Sequence, residues 1–99
     1  MKVKAIIAKN IDNVASVINF IEAKEVVGVN LDGEIRKVLV NQNVPYGHKI
    51  ALKDIKNGED IFKYGEIIGR ATADIKYGDY VHVHNVESKR GRGDWKKIK

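Results

Sequence analysis

Three short segments of this chain carry one pattern. They are Ile21-Glu22-Ala23-Lys24-Glu25-Val26-Val27, Ile55-Lys56-Asn57-Gly58-Glu59-Asp60-Ile61 and Ile75-Lys76-Tyr77-Gly78-Asp79-Tyr80-Val81. Each runs isoleucine, two residues, a turn residue, an acid, any residue and a β-branched residue. The physical reading is a strand end, a tight turn and a new strand. Glycine in the second and third copies suits a turn position that needs positive φ. Lys24 at that place makes the first copy the weakest match. A chain that reverses direction at such short intervals has little room for helix, so the repeat points to an all-β fold.

The segments between the copies agree. Met1 to Ala8 alternates and then turns apolar, which predicts a first strand, and Asn10-Ile11-Asp12-Asn13 reads as a turn. Residues 14–21 fit a helical stripe through Val14, Val17, Ile18 and Ile21. They are also rich in β-branched residues, and the repeat favours a strand, with the helix left open. Asp32-Gly33 between two apolar runs predicts a hairpin over 26–40. His48 to Leu52 predicts a strand, Phe62 to Gly65 a loop, and Glu66 to Ala73 a strand interrupted at Gly69 by a bulge or a close backbone approach. Tyr80 to Val86 alternates strictly, which predicts one strand with Tyr80, His82 and His84 on a common face.

Ninety-nine residues suit one domain with a modest core, too small for a deep catalytic pocket. There is no cysteine, so disulfides and thiolate metal sites are excluded. The apolar run near the start is too short for a signal peptide or a span, and a cytoplasmic protein is expected. The net charge of +5 sits in residues 89–99, which hold six Lys or Arg and one acid. Residues 1–88 hold twelve of each sign. The expected division is therefore a β domain over 1–88 and a basic tail over 89–99, with no basic face for tracking nucleic acid.

Four features carry candidate chemistry. His82-Val83-His84 places two imidazoles on one strand face, where they are solvated, shared with a partner, or part of a metal site that still needs a third ligand. Gly47-His48-Lys49 after Pro45 is either a tight turn entering a strand with two polar side chains outward, or a site combining close backbone approach, a proton carrier and a cation for carboxylate or phosphate. Arg70, beside Gly69, can face an acidic ligand. In the tail, Arg90, Arg92 and Trp95 make a candidate arm for docking a protein partner.

Several stretches together resemble a known family. They are Val44-Pro45-Tyr46-Gly47-His48-Lys49-Ile50-Ala51-Leu52-Lys53-Asp54-Ile55, Gly58-Glu59, Lys63-Tyr64-Gly65-Glu66-Ile67-Ile68-Gly69-Arg70-Ala71-Thr72 and Gly78-Asp79-Tyr80-Val81-His82-Val83-His84-Asn85. They look like the SAF-type N-terminal domain of altronate and galactarate dehydratases, and like the small subunit of the related sulfolactate sulfo-lyase. The resemblance implies a β-clip fold of short strands and bent hairpins. It implies a hydro-lyase whose main catalytic residues, and a divalent metal such as iron, lie in a large partner subunit. No cofactor is then expected on this chain alone. The chain ends at Lys99, where fused members continue, which fits a separate small subunit.

On this reading the face bearing His48, Lys49, His82 and His84 closes over the large subunit's site. His48 and His82 serve proton transfer, while Lys49, Arg70, His84 and Asn85 bind the sugar acid. A stand-alone module for a small acid or a protein is the competing reading, and a nucleic-acid binder using the tail is a more remote one.

Overall fold

A computed structural model describes residues 2–88, and all nine elements among them are strands. They are β1 (Val3–Ile6), β2 (Val14–Val17), β3 (Val26–Leu31), β4 (Glu34–Leu39), β5 (Lys49–Ala51), β6 (Asp60–Lys63), β7 (Glu66–Ala71), β8 (Tyr80–Val81) and β9 (Val86–Ser88). One sheet runs β4-β3-β1-β2-β5-β8 and a second runs β6-β7-β9. The fold is all-β, as the repeat predicts. Residues 14–21 are extended: β2 is followed by a single bridge from Ile21 to Val44. Residues 89–99, including Arg90, Arg92 and Trp95, lie outside the described residues.

The repeated pattern forms the same turn each time. Glu25 N–H donates to the Glu22 carbonyl, Glu59 to Lys56 and Asp79 to Lys76, at 2.9–3.1 Å. The acid's side chain folds back to accept the first N–H of the turn, from Glu22 (3.0 Å), Lys56 (2.7 Å) and Lys76 (2.9 Å). The third turn residue has φ of 73° at Lys24, 94° at Gly58 and 87° at Gly78. Lys24 therefore adopts the left-handed conformation that its side chain disfavours.

A fourth copy escaped the sequence pattern. Val44-Pro45-Tyr46-Gly47-His48-Lys49-Ile50 makes the same turn, with His48 N–H donating to the Pro45 carbonyl (3.2 Å) and Gly47 at φ 87°. His48 stands where the other copies have the acid. Proline has no N–H, so nothing at the first turn position calls for a carboxylate.

The four turns lock in reciprocal pairs. Ile21 and Val44 exchange both backbone hydrogen bonds, and so do Ile55 and Ile75. Within each pair, the third turn residue donates to a residue four before the partner's isoleucine or valine. These bonds are Lys24 to Val40 (2.7 Å), Gly47 to Val17 (2.8 Å), Gly58 to Ala71 (2.8 Å) and Gly78 to Ala51 (2.9 Å). Each copy then buries three side chains at the same spacing: Val17, Ile21 and Val27; Val40, Val44 and Ile50; Ala51, Ile55 and Ile61; Ala71, Ile75 and Val81. The copies at Ile21 and Val44 build one core cluster and the copies at Ile55 and Ile75 build the other, with the neighbours Ile50 and Ala51 on opposite sides of the junction. Strands β2 and β5 are covered on both faces, with Ala15 and Ile50 in one cluster and Val14 and Ala51 in the other.

Two polar clamps join the halves. Buried Asp12 accepts from the N–H groups of Lys9, Tyr64 and Gly65 at 2.9–3.0 Å, which fastens the β6–β7 hairpin to the β1–β2 loop. Asn13 bridges Asp60 and Phe62 beside it. At the other end, the Tyr77-Gly78 turn covers the end of β4. Asn41 N–H donates to the Gly78 carbonyl (3.0 Å), and a Cβ on Gly78 would lie 2.2 Å from the Leu39 carbonyl oxygen.

Of three local expectations, two change and the one at Gly69 holds. Phe62 and Lys63 belong to β6, so only Tyr64-Gly65 makes the turn, with φ of 58° and 74°. Gly69 is both a bulge neighbour and a close approach: the register slips between Ile61 and Phe62, and a Cβ on Gly69 would meet the Glu87 carbonyl oxygen at 2.5 Å. Residues 80–86 do not form one strand. They split at His82 into β8, a turn and β9, which crosses to the other sheet.

Two stability predictions follow from the turns and the clamp. Lys24→Gly relieves a left-handed lysine and is expected to stabilise the chain by about 1 kcal/mol. Asp12→Ala strands three backbone N–H groups and is expected to cost about 3 kcal/mol. Urea unfolding monitored by circular dichroism reads both; a destabilised Lys24→Gly or an unchanged Asp12→Ala contradicts the assigned roles.

Candidate functional site

The split at His82 is made by Asn85. Its side-chain oxygen accepts from His82 N–H (3.0 Å), and its amide donates to the Tyr80 carbonyl (2.9 Å). Its own N–H returns to the His82 carbonyl (3.0 Å). This is the device of the repeated turns, a side chain reaching back three residues, and it outcompetes the strand ladder. Asn85 is 8% exposed, so its polar atoms serve the corner.

The corner gathers rings from two copies of the repeat. Ile50 of β5 pairs with Tyr80 of β8, which brings His48 beside the corner. His48 Nδ1 is hydrogen-bonded to the Tyr80 hydroxyl. The His48 and His82 rings stack with centroids 4.0 Å apart and planes at 26°. Tyr80 lies nearly parallel to His82 at 5.9 Å and tilted against His84 at 5.2 Å. The two histidines of the His-Val-His segment are thus brought near one tyrosine by a turn, where strand alternation was expected to align them. Tyr80 is the hub of the cluster; the sequence pattern put it on one face with His82 and His84 but gave it no role in the site.

Electrostatics give the corner its sign. Partial burial, then the neighbouring His48, Lys49 and His84, hold the His82 imidazole below its ordinary value. Burial and then Lys63 lower the half-buried Lys49 ammonium. Every charged neighbour acting on these two groups is cationic. A site of this kind favours an anion, whose arrival would raise both values again.

Arg70 sits elsewhere. It is exposed on β7 in the three-stranded sheet, in register with Asp60 and Glu87. The structure therefore brings His48, Lys49, His82 and His84 into one region and places Arg70 in the other sheet.

Among the described residues, no three His, Asp or Glu side chains converge to hold a metal. The chemistry of the donors agrees: one His48 nitrogen is committed to Tyr80, and rings stacked face to face do not aim their in-plane lone pairs at one point. Two surface clefts of about 410 and 260 Å³ lie on the other half of the fold. Lys53, Asp60 and Phe62 line the first, and Lys53, Asp54, Asp74 and Lys76 the second. The histidine corner lies outside both, with His48 and His82 half-buried and His84 exposed.

Short strands, bent hairpins and paired tight turns define a β-clip domain, and its histidine-rich corner is open. The chain belongs to the altronate/galactarate dehydratase SAF domain family, whose model matches residues 3–89. It is similar to the alpha subunit of (2R)-sulfolactate sulfo-lyase from Chromohalobacter salexigens, 45% identical over 51 residues, covering 52% of this chain and 54% of that one. The corresponding subunit from Paracoccus pantotrophus is 39% identical over 62 residues, 63% of this chain and 92% of that one. Altronate dehydratase from Escherichia coli is 41% identical over 78 residues, 79% of this chain but only 15% of that enzyme. No helix among the described residues is long and apolar enough to cross a membrane.

The cationic corner predicts its own titration. His82 should titrate below the ordinary imidazole value of about 6.5, and His48→Gln, which removes a cationic neighbour, should raise it. Because the folded state binds its proton less readily than the unfolded chain, the stability linked to His82 is present above about pH 6.5 and falls as the pH drops. Imidazole nitrogen shifts across a pH series test this; a His82 midpoint at or above the free value contradicts it.

Proposed function

We propose that this chain is the small subunit of a lyase acting on a hydroxy-acid anion, and that its histidine corner closes over an active site built mainly by a separate large subunit. The observation that carries this reading is the open corner where every charged neighbour of His82 is cationic. Support comes from relatives named as alpha subunits of sulfolactate sulfo-lyase and from others named altronate dehydratase. Altronate and sulfolactate are both hydroxy-acid anions.

Elimination from such an acid removes the proton α to the carboxylate and expels a group from the β carbon. The resulting enol tautomerises to a 2-keto acid. The step needs a base, an acid for the leaving group and compensation for the carboxylate and enolate charge. With Nδ1 engaged by the Tyr80 hydroxyl, His48 offers Nε2 to a ligand. His82, held neutral more readily than a free imidazole, suits a proton-accepting or proton-relaying role near neutral pH. Lys49 supplies positive charge beside them, and exposed His84 extends the cationic rim. Arg70 would contact substrate only if the large subunit brought the ligand across to the three-stranded sheet. The donor set here does not fit a metal, so the divalent ion implied by the family resemblance is assigned to the large chain.

The test is steady-state elimination by the chain reconstituted with its large subunit, on altronate, galactarate and sulfolactate. His48→Ala and His82→Ala should each lower kcat/KM by about 100-fold. Lys49→Met should mainly raise KM. Unchanged kcat and KM in both histidine variants removes the catalytic role. Tight binding of a small acid by the isolated chain, with no association with a large subunit, would favour the stand-alone module.

A further inference from the structure

The four turns act as internal controls for one another, and one of them is incomplete. In three copies the second turn residue has its N–H held by a side-chain oxygen from the partner copy. Asn43 Oδ1 accepts from Ala23 (2.8 Å), Asp74 Oδ1 from Asn57 (2.9 Å) and Asp54 Oδ1 from Tyr77 (2.9 Å). Each acceptor is the residue just before the partner's buried isoleucine or valine. In the fourth copy the second turn residue is Tyr46, and the corresponding position holds Phe20, which has no oxygen. Among the described residues no hydrogen bond to Tyr46 N–H is formed.

The first N–H of that turn is also changed. Where three copies have an N–H held by an acid, the fourth has Pro45, with no N–H, and His48 in the acid's place. Proline removes one donor and phenylalanine uncovers the other. What remains is a single outward donor in the turn that supplies His48 to the corner. Both Tyr46 (73% exposed) and Phe20 (49% exposed) are accessible, so the place is open to a ligand.

We propose that Tyr46 N–H is a docking point for the carboxylate of a small acid, one oxygen of which takes the position held by aspartate or asparagine oxygens in the other three turns. Two of those three occupants are carboxylates, and the nearby imidazole of His48 favours negative charge when protonated. Phe20 and Tyr46 present apolar surface beside the donor for the carbon skeleton. The contact deepens the preceding proposal by adding a specificity contact to the same region. It rests on that reading only for which acid is the natural one.

The experiment is an amide and imidazole chemical-shift titration of the full chain with sodium glycolate, with glycolamide and sodium chloride as controls. Glycolate should move the Tyr46 amide proton downfield in a saturable manner, and neither control should. Phe20→Asp should supply the missing oxygen from within, leaving the Tyr46 amide already shifted and unresponsive. Tyr46→Pro suits the second position of such a turn, removes the donor itself and should abolish glycolate binding. A Tyr46 amide that ignores glycolate, or equal glycolate binding by wild type and Tyr46→Pro, overturns the proposal. The readout uses the chain alone, so it stands or falls separately from lyase activity with a large subunit.

Discussion

The fold hangs on the reciprocal exchange of backbone hydrogen bonds between paired tight turns. Each turn ends one strand, starts the next, and hands its left-handed residue's N–H to a carbonyl of its partner. Neither member of a pair can be satisfied without the other, because a buried peptide group left without a partner costs on the order of 1–3 kcal/mol. The same exchange positions three buried side chains per copy, so hydrogen bonding and core packing enforce one register. The second and third locked copies adjoin directly, with Ile50 facing one core and Ala51 the other. That junction is why so short a chain can hold two small cores in one body.

The candidate site lies where the repeat departs from itself. Three turns are closed twice by side-chain oxygens, a device that satisfies donors and removes freedom. The turn at Pro45 to His48 keeps the geometry through proline and Gly47 and releases the acid's position. A histidine can then stand there and turn to Tyr80. The corner at His82 to Asn85 supplies the other rings by the same back-reaching side chain, used to break a strand. Local satisfaction of the backbone by Pro45 and Asn85 leaves the imidazoles unencumbered by structural bonds other than the one to Tyr80. The neighbours that lower Lys49 and His82 are basic side chains, which is unfavourable for the folded chain alone and which an anionic ligand would offset.

Much of this was legible from residues. The all-β class, three of the four turns, the Asp32-Gly33 hairpin and the Gly69 irregularity all rest on local chemistry, mainly positive φ and short side-chain reach. The kinship of the fourth turn to the other three was hidden because valine replaces isoleucine, histidine replaces the acid and proline masks the missing donor. The alternation of Tyr80 to Val86 misled for a related reason. Periodicity counts side-chain polarity, whereas the outcome was decided by Asn85 competing for the backbone. His48, Lys49, His82 and His84 do lie in one region, but the shared strand face expected for His82 and His84 is not what joins them.

By itself the sequence determined the all-β tendency and most of the places where the chain turns, since these depend on contacts within a few residues. Only the tertiary structure decided which turn pairs with which, that β9 crosses to a second sheet, that Tyr80 gathers the histidines and that Arg70 stands apart. It also decided that Phe20 is the one unfit partner in the set, leaving Tyr46 uncovered. Those outcomes depend on hydrogen bonds and packing between residues far apart in the chain, and no local pattern records which distant group will arrive to complete them.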